Sequence, residues 1–118
     1  MGKSQQRKGR GGESELAGIL RDHGYDVHVG DPQNYGTEPD LTGLPSIHIE
    51  AKRTETMKMS QWVEQAKRDS ERFCDGAPAI FHRYSRKPWT VTMLLSDWLR
   101  LYKIYSEVQQ KGGYDESP

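Results

Sequence analysis

A chain of 118 residues with a hydrophobic fraction of 33% and a mean hydropathy of −0.93 suits one domain with a lean core. No apolar run approaches the roughly 18 to 20 residues needed to cross a bilayer. The start carries Lys3, Arg7, Lys8 and Arg10 without the apolar stretch of a secretory signal, so a soluble cytoplasmic protein is expected. Cys74 is the single cysteine, which excludes an intrachain disulfide and a cysteine-based zinc cluster. Lysines and arginines number 17, as do aspartates and glutamates, yet the charges are segregated. Residues 1–12 carry four bases and no acid, residues 13–50 eight acids against Arg21 alone, and residues 51–118 twelve bases and nine acids. An acidic middle between basic flanks is what a cation site serving a polyanion needs; a solvated mixed-charge surface is the plainer reading.

Residues 1–12 read as a mobile basic arm, because Gly9, Gly11 and Gly12 among polar neighbours offer nothing to bury. Glu13 and Glu15 favour the first turn of a helix with Leu16, Ala17, Ile19 and Leu20 as its apolar stripe and Gly24 as its end. Tyr25, Val27 and Val29 alternate with polar residues as in a half-buried strand, and residues 30–39 are loop. Residues 40–42 predict a short strand that turns through Gly43 to Pro45 into a strand over 47–52, as a hairpin. A second helix follows from Ser60, its expected N-cap, to Phe73, with Val63, Ala66, Ser70 and Phe73 as core stripe. Residues 77–84 and 89–95 read as strands about a turn at residues 85–88, and Ser96 caps an amphipathic helix to about residue 106. The expected domain spans residues 13–108, with a flexible tail over 109–118. The element order predicts an α/β or α+β fold with a central mixed sheet of about five strands flanked by helices.

The chemistry gathers on the strand 47–52. Side chains alternate along a strand, so Ile47, Ile49 and Ala51 share one face while His48, Glu50 and Lys52 share the other. With Asp40 arriving from a neighbouring strand, two carboxylates and a lysine would converge on one pocket. Phosphodiester hydrolysis needs charge neutralisation at phosphorus, a deprotonated water and a protonated leaving oxygen, and hard oxygen ligands suit Mg²⁺ or Mn²⁺. Asp40 and Glu50 are the expected metal ligands, the backbone carbonyl of Ala51 can add another, and Lys52 would orient the attacking water or help to deprotonate it. A solvated Glu50–Lys52 ion pair and a turn aspartate at position 40 are the structural alternatives. The string His48-Ile49-Glu50 lacks the P-C-x-x-C partner of zinc deaminases, which excludes that class.

Pro39-Asp40 followed by Glu50-Ala51-Lys52 resembles the PD-(D/E)xK signature of restriction-endonuclease-like nucleases. The opening Lys8-Gly9-Arg10-Gly11-Gly12-Glu13-Ser14-Glu15-Leu16, a helix ending at Gly24-Tyr25 and a second helix soon after Lys52 resemble archaeal-type and phage-encoded Holliday junction resolvases over roughly residues 7 to 95. The resemblance implies that Glu13, with Glu15 as runner-up, is a helix-borne catalytic acid completing the metal site. It further implies that Asp40, Glu50 and Lys52 are metal and catalytic residues, and that Gln65 reaches the metal's surroundings from the second helix. Trp62, residues 83–89 and the last helix resemble phage or prophage members. The implied activity is Mg²⁺-dependent endonucleolytic cleavage of branched DNA by a homodimer, a dimer because a four-way junction presents two strands to cut symmetrically. Lys3, Arg7, Lys8, Arg10, Arg53, Arg83, Arg86 and Lys87 are the expected DNA contacts. The alternatives are a nickase or repair nuclease of flaps or duplex, and a non-catalytic DNA-binding module of the same fold.

Overall fold

Leu16, Ala17 and Leu20 recur at the spacing of a helix face. In the computed structural model, which describes residues 2–34 and 36–112, and of residues 2–10 and Pro32 the backbone alone, they lie on helix α1 (Gly2–Asp22). Leu16 and Ala17 are buried with Val27, Leu41, Ile49, Ala79 and Phe81 in the larger of two core clusters. The helix begins well before Glu13, so the stretch expected as a mobile arm is helical in its backbone. Its glycines are not all breakers. A Cβ on Gly12 would stand 2.8 Å from Cβ of Arg53, so a hydrogen at that position is what lets α1 cross the neighbouring strand closely.

Strands β1 (His28–Val29) and β2 (Leu41–Thr42) pair antiparallel, His28 opposite Thr42 and Val29 opposite Leu41. β3 (Ile47–Arg53) pairs parallel with β4 (Ala77–Arg83), Glu50 opposite Ile80, and β4 pairs antiparallel with β5 (Thr90–Met93). The protein is thus α+β, with, among the described residues, three α-helices and sheets of two and three strands in the order β1-β2 and β3-β4-β5. Three expectations are corrected by this topology. The strand expected over residues 25–29 shortens to two residues, and β2 does not form a hairpin with β3. β2 is two residues long and spends its backbone groups on β1; it touches β3 without joining its ladder. The expected sheet of about five strands is therefore divided among the described residues, and β3 is an edge of the three-stranded sheet.

Parallel strands require a crossover connection, and helix α2 (Met59–Phe73) supplies it, burying Trp62, Ala66 and Ser70 at every fourth position. Trp62, Ala66 and Ile80 form the second core cluster on the sheet's other face, with Met59 and Val63 packed against it. Ser60 lies within the first turn of α2, not at its cap, which falls at Lys58 without a side-chain hydrogen bond. Likewise Leu94, not Ser96, precedes α3 (Leu95–Gln110). That helix runs past the expected end near residue 106 and into the expected tail; residues 113–118 lie outside the described residues. Asp97 of α3 is buried and ion-paired with Arg100. None of the helices among the described residues is long and apolar enough to cross a membrane.

α2 ends on Cys74 in the left-handed region (φ 51°, ψ 42°), followed by Gly76 at φ +128°. A Cβ on Gly76 would sit 2.2 Å from the carbonyl carbon of Ser46, so only glycine fits where α2 turns into β4 beside the start of β3.

α1 and the sheet are further tied by one carboxylate. Glu15 Oε1 accepts a hydrogen bond from Trp89 Nε1 at 2.8 Å and another from Arg83 Nη1, while Arg53 Nη1 stands 3.6 Å from Oε2. Arg53 and Arg83 are register partners on β3 and β4, and Glu15 offsets the repulsion between them. The Trp89 hydrogen bond, partly opposed by burial and reinforced by Arg83 and Arg53, holds the Glu15 carboxyl below the ordinary glutamate range. A lowered folded-state pKa means the stabilisation is complete above the unfolded value and disappears as pH falls through the folded one. Glu15→Gln should therefore cost about 1–2 kcal/mol at pH 7, and the difference from the native chain should vanish in strong acid, as read by urea unfolding across pH.

Candidate active site

The alternation read along β3 is realised. Ile49 is buried against α1, with Ile47 and Ala51 packed on the same cluster. His48 and Glu50 are buried while Lys52 is half-buried, and this face looks toward α2, where Gln65 Oε1 accepts a hydrogen bond from Lys52 Nζ at 3.0 Å. Lys52 Nζ also stands 3.4 Å from Glu50 Oε1. Glu50 has 7% of its side chain exposed, so the pair is not a freely solvated surface bridge.

A pocket opens over this face, lined by Glu38, Asp40, His48, Glu50, Gln65 and Asp69 among others. Asp40 enters it from the residue before β2. Its carbonyl accepts a hydrogen bond from Gly30 N–H at 2.7 Å, which extends the β1–β2 pairing and fixes the backbone from which the side chain projects. Asp40 is exposed as a residue, but partial desolvation of its carboxyl at the pocket mouth, and then the charge of Glu50, push it above the ordinary aspartate range, with Asp69 adding to the effect and Lys52 and His48 opposing it. Crowded carboxylates of this kind are what a bound cation relieves.

Of the residues expected here, Asp40, Glu50, Lys52 and Gln65 come together. Glu13 and Glu15 do not line the pocket. Both sit on α1, which packs on the opposite, Ile49 face of β3, and Glu15 is occupied by Arg53, Arg83 and Trp89. The same contacts engage two of the expected DNA-contacting residues, Arg53 and Arg83. Arg86 and Lys87 are exposed at the β4–β5 turn, where Lys87 N–H donates to Tyr84 O at 3.1 Å. The side chains of Lys3, Arg7, Lys8 and Arg10 lie outside the described residues.

Three residues of the pocket's surroundings were not expected to have a task. His48 Nδ1 lies 2.8 and 2.9 Å from the two carboxylate oxygens of Asp75. A carboxylate only accepts, so Nδ1 carries the proton. The ring stacks on Phe73, centroids 6.5 Å apart and planes 15° apart, and its Nε2 faces Glu50 Oε2 at 3.6 Å, a charge contact too long for a hydrogen bond. Asp69 is the third. It falls four residues after Gln65 on α2 and hence on the same helix face, a spacing that marks it in the sequence once Gln65 is placed. His48 was legible by the same alternation that placed Glu50, but Asp75, beyond the helix end, had no periodic signal.

No protein-family model matches the chain, and no curated protein matches it.

Burial lowers the affinity of His48 for a proton, but Glu50 and Asp75 outweigh it and the imidazole titrates above the ordinary histidine range. A raised folded-state pKa contributes stability that is complete below the unfolded value and lost as pH rises through the folded one. In chelator-treated protein, an NMR titration should place His48 above the ordinary histidine range, and Asp75→Asn should lower its midpoint. An unmoved midpoint would mean that Asp75 does not hold the imidazole.

Proposed function

We propose that the protein is a divalent-metal-dependent endonuclease of restriction-endonuclease-like fold that cuts DNA, with branched, four-way junction DNA as its substrate and a homodimer as its working form. The observation that carries this reading is the placement of Lys52, half-buried and held between Glu50 and Gln65, two residues that line a pocket together with Asp40. A pair serving stability alone has no need of a second carboxylate driven above its ordinary range beside it. The crossover β3–α2–β4, with the acid and lysine on the strand that enters it, is compatible with the proposed fold.

The donor set fits a hard cation. Asp40 and Glu50 would hold Mg²⁺ or Mn²⁺, with the Ala51 carbonyl a further oxygen donor. When bound, such an ion supplies charge neutralisation at the phosphate and eases deprotonation of the attacking water. Lys52 donates hydrogen bonds and so orients the water or a phosphate oxygen, and Gln65 keeps the ammonium turned toward Glu50 rather than toward solvent. Arginine in place of Lys52 would bring a wide planar fork where a compact ammonium fits. Exposed Arg86 and Lys87, with the basic residues 3–10, would meet the DNA backbone.

Asp40→Ala, Glu50→Ala and Lys52→Ala should each lower Mg²⁺-dependent cleavage more than about a hundredfold while leaving DNA binding largely intact. The assay is a comparison of four-way junction, flap, single-strand and duplex DNAs on a sequencing gel; full activity in all three variants would overturn the assignment. For the basic N-terminal residues, replacing Lys3, Arg7, Lys8 and Arg10 together by Gln should reduce the slope of log affinity against log salt by about 3 to 4. An unchanged slope would mean that these four side chains do not meet phosphate.

A further inference from the structure

His48 is the most deeply buried polar side chain of the pocket, 3% exposed, and its Nε2 has no hydrogen-bond partner. A buried nitrogen left without a partner costs free energy, and this one is held in place on three sides. Asp75 anchors the other ring nitrogen, Phe73 stacks on the ring, and the strand fixes its origin. A His48 ring nitrogen, a Glu50 oxygen and an Asp69 oxygen lie within 4.8 Å of one another, and Nε2 is the nitrogen that stands 3.6 Å from Glu50 Oε2.

We infer that His48 Nε2, Glu50 and Asp69 form a site for a first-row transition-metal ion such as Mn²⁺, Co²⁺ or Zn²⁺. The donor set decides the class. Mg²⁺ and Ca²⁺ take oxygen, whereas an imidazole nitrogen with two carboxylates suits the transition metals. The surroundings have the order such sites use: a carboxylate, Asp75, binds the distal N–H of the ligating imidazole, fixes its tautomer and turns Nε2 toward the ion. Donors about 2.1 Å from a shared ion stand no more than about 4.2 Å apart. Nε2 and Glu50 already meet this at 3.6 Å, and rotation of the half-buried Asp69 side chain on α2 brings in the third.

Glu50 is shared with the pair proposed above to hold Mg²⁺ or Mn²⁺. The inference rests on the nuclease reading only for what the ion is used for, and not for its binding. If both hold, the ion at His48 sets a preference for Mn²⁺ over Mg²⁺ in cleavage, since Mn²⁺ accepts nitrogen and Mg²⁺ does so poorly.

The test is Co²⁺ added to the full chain without DNA, followed by calorimetry and by proton NMR of paramagnetically shifted imidazole signals. The expected result is a shifted ring signal in the native protein that is lost in His48→Gln, with Co²⁺ affinity at least about tenfold weaker in Asp69→Asn and about ten- to a hundredfold weaker in Asp75→Asn. Absence of the shifted signal from the native protein, or unchanged affinity in Asp69→Asn, would overturn the site. Because the native spectrum and the Asp69 variant are read independently, the test still decides if His48→Gln folds poorly. Cleavage with Mg²⁺ is a separate readout. Co²⁺ binding at His48 without cleavage would keep the site and dismiss the nuclease, and cleavage without Co²⁺ binding would do the reverse.

Discussion

Everything in this protein is arranged about a seven-residue strand with two incompatible faces. Ile49 must be kept from water, and α1 covers it with Leu16 and Ala17 while Ile47 and Ala51 pack at the margin. On the other side His48, Glu50 and Lys52 cannot be covered by an apolar helix face without leaving charges unpaired, which costs several kcal/mol each. α2 solves this by dividing its own surface. Trp62, Ala66 and Ser70 pack toward β4 and carry the burial, while Gln65 and Asp69 turn toward the polar face of β3 and line an opening instead of filling it. The pocket thus follows from the impossibility of closing that face.

The two sides also divide the electrostatic work. On the α1 side the Glu15 carboxylate is saturated by a tryptophan and two arginines, and its charge is favoured. On the α2 side carboxylates outnumber their partners: Asp40 is pushed toward protonation and His48 toward the imidazolium. A chain with zero net charge can hold a locally unbalanced pocket in this way because the compensation lies across the sheet. The surplus on one face is the feature on which the proposed cation binding rests.

Where the sequence was legible, it was through periodicity. The alternation over residues 47–52 identified both faces of β3, and the spacing over residues 60–73 and 96–106 marked two helices that run over 59–73 and 95–110. Features that periodicity does not govern were misplaced. Gly12 looks like a helix breaker in the chain and serves as a point of close approach to Arg53; the difference lies in a neighbour some forty positions away. β2 and β3 are adjacent in sequence and would make a hairpin, but β2 pairs with β1 instead. Glu13 and Glu15 carry the right chemistry on a helix that packs on the wrong face for this pocket. Asp75 escaped notice because its role depends on a turn whose geometry is set by Cys74 and Gly76.

That turn has a consequence for how the molecule tolerates change in chain length. The loop before Asp40 is closed at its base by Gly30 and Asp40 and by Glu38 on the backbone of Asp31, so residues inserted near its tip leave Asp40 where it is. Between α2 and β4 there is no such slack. Asp75 lies between a left-handed Cys74 and a Gly76 wedged against Ser46, and one added or deleted residue would rotate its carboxylate away from His48. The pocket therefore has one wall whose supporting loop is free to lengthen and another whose spacing is fixed to the residue. Any reshaping of the opening toward a larger or smaller ligand has to come from the side of Asp40.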